Sequence, residues 1–491
     1  MATATPRQCD VIIRHGLVID GTGAPRRAAD VAIDGDRIVA IGDLSSTAGV
    51  VEVEAAGRIV APGFIDVHTH DDGAVVSCPA IPAKTSQGVT TIVVGNCGFS
   101  LAPLRPRGVL PQEFRYLGEQ SAYRFPTVGD YVAALETRPA AVNIAVLVGH
   151  STLRMDNMAD VSRAANDREI AAMQARLRES LESGAIGFST GLDYGPNAAA
   201  TTEEIISIAE VLSQFGGLYV THTRDYVDDI DAAIEEALEI GRRANVPVVL
   251  SHHQGDGPKN YGHAARTLGR VERASASQSV AFDVYPYTCG GGTLLPRYAE
   301  MVERVVVTWS DPHPEMVGRD VTSIAAEWQC SLREATARLI PGGGLYYSLD
   351  EDDVRRILSH PMAMIGSDGL HNERIVHPRL WGTFPRVLGH YARELGLFSL
   401  EDAVRRMTGW PAERFGLTGR GLLRPGAFAD IVIFDPERII DRATYEKPNV
   451  PAAGIDLVMV NGLAVWRDGH STGGRGGHVV KHDSARRSAG Q

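Results

Sequence analysis

The sequence predicts an α/β fold: a (β/α)8 TIM barrel, with a small β-sandwich domain built from both chain termini and an insertion near the active face of the barrel. Three observations predict it. Strand-like and helix-like segments alternate through the middle of the chain. Short alternating strands with tight turns fill both ends. Residues that bind or serve metals stand at the ends of predicted strands, spread from His68 to Asp368, and a parallel barrel collects its strand C-termini on one face, where its chemistry takes place.

The first 60 residues read as short strands. Cys9 to Val18 alternates and then turns at Gly21-Thr22-Gly23, while Ala29–Ile33 and Arg37–Ile41 flank the hairpin signal Asp34-Gly35-Asp36. The texture returns late: Ala429–Phe434 and Leu457–Val460 are strand-like, and Asn461-Gly462 turns the chain into Leu463–Trp466. Between these ends lie eight candidate barrel strands: Ile59–Val67, Thr90–Gly95, Asn143–Val148, Ala185–Ser189, Leu218–Thr221, Pro247–Ser251, Val280–Val284 and Met362–Gly366. Apolar residues at helical spacing mark Ile170–Ser183, Glu203–Phe215 and Ile230–Ala244 as helices between them. An open sheet sandwiched by helices is the plainer alternative, but ligand-type residues at strand ends favour the barrel.

The interval from Gly290 to Leu358 is too long for a simple connection. It reads as an insertion or lid, with helix-like Leu332–Leu339 and a Gly342-Gly343-Gly344 hinge. The expected division is 1–61 plus 415–480 for the β-domain, 62–414 for the barrel with the insertion at 290–358, and 481–491 as a flexible tail. The Gly- and Ser-rich texture that suggests flexibility starts at Ser471. No internal repeat is visible.

Composition narrows the function classes. The chain has 491 residues, 44% of them apolar, and a net charge of −12, which argues against nucleic acid as a partner. Its five cysteines (Cys9, Cys78, Cys97, Cys289, Cys330) are scattered and odd in number, unlike a disulfide scaffold. A reducing compartment follows. The opening residues lack the apolar core of a secretory signal, and no run approaches the roughly 18 apolar residues of a membrane span. The expectation is a soluble, cytoplasmic protein.

The chemistry rests on a few residues. His68 and His70 follow an apolar strand as H-x-H, and residues i and i+2 of a strand point the same way, so both imidazoles can reach one ion. Cys97, between Asn96 and Gly98, offers a thiolate, a soft anionic zinc ligand that can also bridge two metals. His222 and His252 end consecutive strands and are neutral nitrogen ligands. His253 would point the other way and is expected to be structural. Asp368 ends the last strand, placed to move a proton between water and a leaving group. Arg379 has the forked donor geometry that suits a carboxylate. Tyr285 and Tyr287, just past the seventh strand, could donate hydrogen bonds to a substrate oxygen.

These stretches resemble the amidohydrolase superfamily. P-G-F-I-D-V-H-T-H near the start and R-P-G-A-F-A-D-I-V-I-F-D near the end carry the likeness. Within it the chain resembles the D-aminoacylases, or N-acyl-D-amino-acid deacylases. The matching stretches are K-T-S-Q-G-V-T-T-I-V-V-G-N-C-G-F-S-L-A-P-L, G-F-S-T-G-L-D-Y, S-H-H and S-D-G-L followed by H-P-R-L-W-G-T-F-P-R-V-L-G. The resemblance implies that Cys97, His222 and His252 hold one tight Zn2+, that His68 and His70 belong to a second, weaker position, and that Asp368 is the general acid/base. It implies that Arg379 and Tyr285 meet the α-carboxylate of the substrate.

The implied reaction is zinc-dependent hydrolysis of an N-acyl-D-amino acid to a carboxylate and a free D-amino acid. Two alternatives are a cyclic amide or ureide hydrolase, such as a dihydropyrimidinase or hydantoinase, and a non-catalytic scaffold. Many amidohydrolases bridge two metals with a carboxylated lysine ending the fourth strand, yet the chain has no lysine between Lys84 and Lys259. This weighs against the cyclic-amide reading and leaves Cys97 as the candidate bridge. Family members often carry a lysine after the His-His pair. Here the residue is Gln254, and loss of that charge favours neutral or apolar D side chains over acidic ones.

Overall fold

The computed structural model describes residues 8–371 and 373–481. Eight parallel strands form the central sheet in strict chain order: Phe64–Asp66, Val89–Val94, Asn143–Gly149, Gly187–Gly191, Leu218–His222, Val248–Leu250, Val280–Val284 and Ala363–Ile365. Consecutive order with helices between the strands is the barrel topology, which bears out the expected fold class. Strands in such a sheet are covered on both faces and so read as continuous apolar runs. All six residues of Val89–Val94 are buried, as are all seven of Asn143–Gly149. The barrel closes through groups just past the first and last strands, where the Asp368 amide donates to the His68 carbonyl at 2.8 Å. Gly366 permits this approach, because a Cβ there would stand 2.5 Å from His68 Cβ.

The helices follow from pattern and caps. Ile230–Ala244 buries Ile230, Ala233, Ile234, Ala237 and Leu238 on one face, the spacing an amphipathic helix requires. Asp167–Glu182 starts at a reciprocal capping box between Asn166 and Glu169.

Both chain ends build a second sheet of nine strands. Five come from the N-terminal side: Gln8–Val18, Arg27–Asp34, Arg37–Gly42, Ala48–Glu54 and Ile59–Pro62. Four come from the C-terminal side: Ile431–Phe434, Ile455–Val460, Leu463–Arg467 and His470–Ser471. They join where Ile59–Pro62 runs antiparallel to Ile431–Phe434. The segment expected as one barrel strand, Ile59–Val67, is therefore two. Pro62 has no amide hydrogen to extend a ladder, the Gly63 amide turns to the Asp430 carbonyl at 2.9 Å, and the barrel strand starts at Phe64.

Between the seventh and eighth barrel strands, Cys289–Thr293, Arg304–Ser310 and Gly342–Tyr347 form a three-stranded antiparallel sheet over the barrel mouth. It has its own core, including Leu294, Val305, Val307, Ile324 and Leu339. The expected Gly342-Gly343-Gly344 hinge is instead the start of the central strand of this sheet. The glycines serve close packing: a Cβ on Gly343 would meet Trp309 Nε1 at 2.2 Å.

The run from Ser471 is also ordered rather than loose as far as it is described. Its backbone pairs with the third barrel strand, with Ile144 N–H donating to His478 O at 2.9 Å and Val480 N–H to Ile144 O at 2.8 Å. Of the expected tail 481–491, residues 482–491 lie outside the described residues. Among the described residues, no helix is long and apolar enough to cross a membrane.

Candidate active site

The barrel strands deliver each expected residue to one mouth. His222 is the last residue of Leu218–His222, and the others stand a few residues past their strand ends. Three of them adopt left-handed backbone: Cys97 at φ 53°, His252 at φ 32° and Asp368 at φ 49°. Non-glycine residues avoid this region, and such strain concentrates at functional sites, where surrounding structure holds it.

The donor atoms converge. His68 Nε2 lies 3.2 Å from Cys97 Sγ, Cys97 Sγ lies 3.7 Å from His252 Nε2, and His252 Nε2 lies 3.0 Å from His222 Nδ1. On the other side of His68, Asp368 Oδ1 stands 3.1 Å from His70 Nε2 and 3.5 Å from His68 Nε2. Two metal-sized groups result, His68–Cys97–His252 and His68–His70–Asp368, each with donor atoms within 4.8 Å of one another. His68 is common to both, and His222 flanks the first.

The electrostatics suit a cation. Burial pushes the Cys97 thiol up, but the charge of His68 and hydrogen bonds from His222, His252 and His68 hold it well below the ordinary range. Burial also works against Asp368, yet the Arg379 guanidinium, His68 and His70 keep its carboxyl well below the ordinary carboxylate range. Burial depresses His222 to about 4, so its ring is neutral at physiological pH. His70 is raised to about 9, because Asp368 and Cys97 outweigh its burial. A buried thiolate and carboxylate are thus balanced by protons on imidazoles, in the space where a cation would do the same work.

The substrate side of the site is a cavity at the barrel mouth. His222, His252, Asp368, Arg379, Tyr285 and Gln254 line it from the barrel, and Gly290–Gly292, Thr293, Leu295, Tyr298, Tyr346 and Ser348 line it from the insertion and its exit. Arg379 opens the helix Arg379–Arg386. Its Nη1 lies 2.9 Å from Asp368 Oδ2, its Nη2 donates to the Gly291 carbonyl at 3.1 Å, and it stacks 4.7 Å above the Tyr285 ring. Its Nε is buried without a hydrogen-bond partner among the described residues. Tyr285 donates its hydroxyl to Gln254 Oε1 at 2.6 Å, and Gln254 Nε2 faces Asp256 at 3.3 Å.

Tyr287 does not reach the cavity. Its ring packs on His377 and lies under the Arg386 guanidinium. His253 turns away from the mouth to meet Thr267 Oγ1 at 2.9 Å.

Sequence reasoning missed the groups that hold the donors in place. Asp283 Oδ2 faces His68 Nδ1 at 3.2 Å, and its Oδ1 accepts the His252 amide hydrogen at 2.8 Å. A carboxylate behind a ligating imidazole fixes its tautomer and orientation. The available signal was an acidic residue inside the apolar run Val280–Val284. Lys84 is fully buried and bonds Asp66 at 2.8 Å and Ser367 Oγ at 2.7 Å. It thereby ties the first strand to the last.

The comparisons agree with this geometry. Residues 51–466 match the model of the amidohydrolase family. A D-aminoacylase from Alcaligenes xylosoxydans xylosoxydans is 50% identical over 485 residues, 99% of this chain and 100% of its own length. A crystal structure of D-aminoacylase superposes with a TM-score of 0.95 at 49% identity, covering 96% of this chain and all of that one. An N-acyl-D-glutamate deacylase from Bordetella bronchiseptica, solved with zinc and a phosphonate mimic of the tetrahedral intermediate, superposes at 0.93 with 46% identity over 97% of this chain and all of its own. With near-complete coverage at these identities, the chain belongs to the amidohydrolase superfamily, in its D-aminoacylase family.

Proposed function

We propose that this protein is a metal-dependent hydrolase of N-acyl-D-amino acids, releasing a carboxylate and a free D-amino acid. One observation carries the reading: five buried metal-type donors and the Asp368 carboxylate meet at a cavity that also presents Arg379. The zinc-bound deacylase relative and the D-aminoacylase structures supply the substrate class.

The donor set fits zinc. Thiolate and imidazole are the ligands this borderline-soft ion prefers, and both groups of donors are buried. Cys97, His222 and His252 would hold the tight ion, with His68 and His70 completing a second, weaker position beside Asp368. A bound zinc ion supplies Lewis acidity, polarising an acyl carbonyl and lowering the pKa of a water toward about 7.

The protein groups then have separate tasks. Asp368, ionised and at the cavity wall, accepts a proton from the attacking water and returns it to the departing nitrogen. Arg379 and Tyr285 grip the α-carboxylate, for which Arg379 exchanges part of its pairing with Asp368 and Tyr285 its hydrogen bond to Gln254. Fixing carboxylate, carbonyl and side chain at three points selects one enantiomer. Gln254 gives the side-chain region a neutral amide, which favours neutral or apolar side chains.

The lysine-bridged cyclic-amide reading finds no support. The fourth strand, Gly187–Gly191, carries no lysine, and Lys84 is committed to Asp66 and Asp71. The deciding experiment measures amine release from paired N-acetyl-D- and N-acetyl-L-amino acids (Leu, Met, Phe, Glu), with and without a chelator. Chelator-sensitive release from the D forms alone is expected, with Leu, Met or Phe preferred to Glu. Equal release from both enantiomers, or release insensitive to a chelator that strips the metal, would refute the proposal.

A further inference from the structure

The loop after Gly187–Gly191 carries Asp193, whose side chain is 3% exposed. Two residues of the insertion reach it. The Arg297 guanidinium pairs with Oδ1, and the Tyr298 hydroxyl donates to Oδ2 at 3.1 Å. From the barrel side, His222 Nε2 faces the same Oδ2 at 4.0 Å.

The other nitrogen of that ring, Nδ1, points into the donor cluster. A neutral imidazole that offers Nδ1 to a metal carries its proton on Nε2. This Nε2 is buried and has no hydrogen-bond partner among the described residues, and a buried donor calls for an acceptor. Asp193 is the acceptor that faces it, one small shift or one bridging water away. The loop also grips His222 directly. The Leu192 amide donates to the His222 carbonyl at 3.1 Å, and the Tyr194 ring packs on the imidazole with centroids 4.5 Å apart.

We propose that Asp193 is a positioning residue that joins the insertion to the metal centre: its carboxylate accepts the Nε2 proton of His222 while Arg297 and Tyr298 hold it from the insertion. This rests on the metal-dependent reading above. A carboxylate behind a ligating imidazole sets the tautomer and strengthens the ligand. Here that carboxylate is shared with the cover of the cavity, so the insertion that encloses the substrate also braces the metal ligand.

The test is zinc affinity of the full-length protein, measured by chelator competition on the apo form. The parent, Asp193→Asn and Arg297→Gln are compared, with thermal melting of each apo protein as the folding control. Asp193→Asn is expected to weaken zinc binding about ten- to a hundredfold, the usual effect of losing such a partner, with the apo melting temperature unchanged. Arg297→Gln keeps the carboxylate and its Tyr298 hydrogen bond but removes one of the two holds on it, so it is expected to weaken zinc binding by less than Asp193→Asn while raising KM. If the asparagine variant folds poorly, Asp193→Glu decides: it retains the charged carboxylate and must bind zinc more tightly than the asparagine.

Parent-like zinc affinity in Asp193→Asn would overturn the proposal. So would an equal loss in Arg297→Gln, since the effect would then belong to packing of the insertion. A parent that binds no zinc would instead sink the metal-dependent reading, and this inference with it.

Discussion

Asp368→Asn separates proton transfer from every other task of the site. The substitution is isosteric, and the amide oxygen can still accept from His70 Nε2, now 3.1 Å away. What it removes is the basic lone pair and the charge. Positioned general acid–base groups contribute about 10²- to 10⁴-fold, so kcat should fall by that factor, or about 3–5 kcal/mol in barrier height at about 1.36 kcal/mol per decade. KM should behave differently. In the free enzyme Arg379 Nη1 is paired with Asp368 Oδ2 at 2.9 Å, and a substrate carboxylate has to compete with that pair. Neutralising Asp368 releases the guanidinium, so KM is expected to hold steady or fall. The assay is initial-rate amine release over a full range of an N-acetyl-D-amino acid, with zinc content and melting temperature measured on the same preparation. A folded, zinc-loaded variant with kcat within about tenfold of the parent would refute the assignment, because no general base worth about 10² would then be missing.

Three further outcomes are expected. Cys97→Ser replaces a thiolate by a poor zinc ligand, so the variant should lose zinc to a chelator concentration that leaves the parent loaded, read by metal analysis. Gln254→Lys should raise kcat/KM for N-acetyl-D-glutamate relative to N-acetyl-D-leucine by about tenfold or more, since a charge-assisted hydrogen bond is worth about 1.5–3 kcal/mol; an unchanged ratio would remove Gln254 from specificity. Glu204 lies against buried Arg154, faces His150 Nε2 at 3.1 Å and accepts the Ala165 amide hydrogen at 3.0 Å. Glu204→Gln leaves that arginine without its charge partner and should cost about 3–5 kcal/mol in urea unfolding. Burial would raise the Glu204 carboxyl, but its hydrogen bonds with His150 and Arg154 bring it to about 2 from an ordinary 4.5. Its folded value is the lower one, so its contribution is complete above pH 4.5 and fades as pH falls toward about 2. The stability gap between parent and variant should close over that range.

Much of this molecule is legible in one dimension. Barrel strands buried on both faces must be apolar along their whole length, so Val89–Val94 and Asn143–Gly149 stand out in the sequence without any partner in view. Helices such as Ile230–Ala244 must show one apolar face. Because a parallel barrel places every strand end on one face, His68, His70, Cys97, His222, His252 and Asp368 could be gathered in thought before any distance was known. The scarcity of lysine, a matter of counting, argued against a lysine bridge.

Tertiary structure decided what depends on pairwise distance across the barrel. The Asp283 support of His68 joins residues 215 positions apart, and the Asp193 approach to Arg297 joins a barrel loop to the insertion; local pattern carries no record of such meetings. Gly342-Gly343-Gly344 has the composition of a hinge, but Trp309 and Thr308 press on its central strand and leave no room for side chains. Tyr285 and Tyr287 are equivalent in sequence, two residues apart on the same segment. Only the path of the backbone after Val284 sends the first into the cavity and the second onto His377. Periodicity and residue chemistry are local and survive in the sequence. Which side chain faces which is set by packing of the whole chain, and that is where the site acquires its second layer of support.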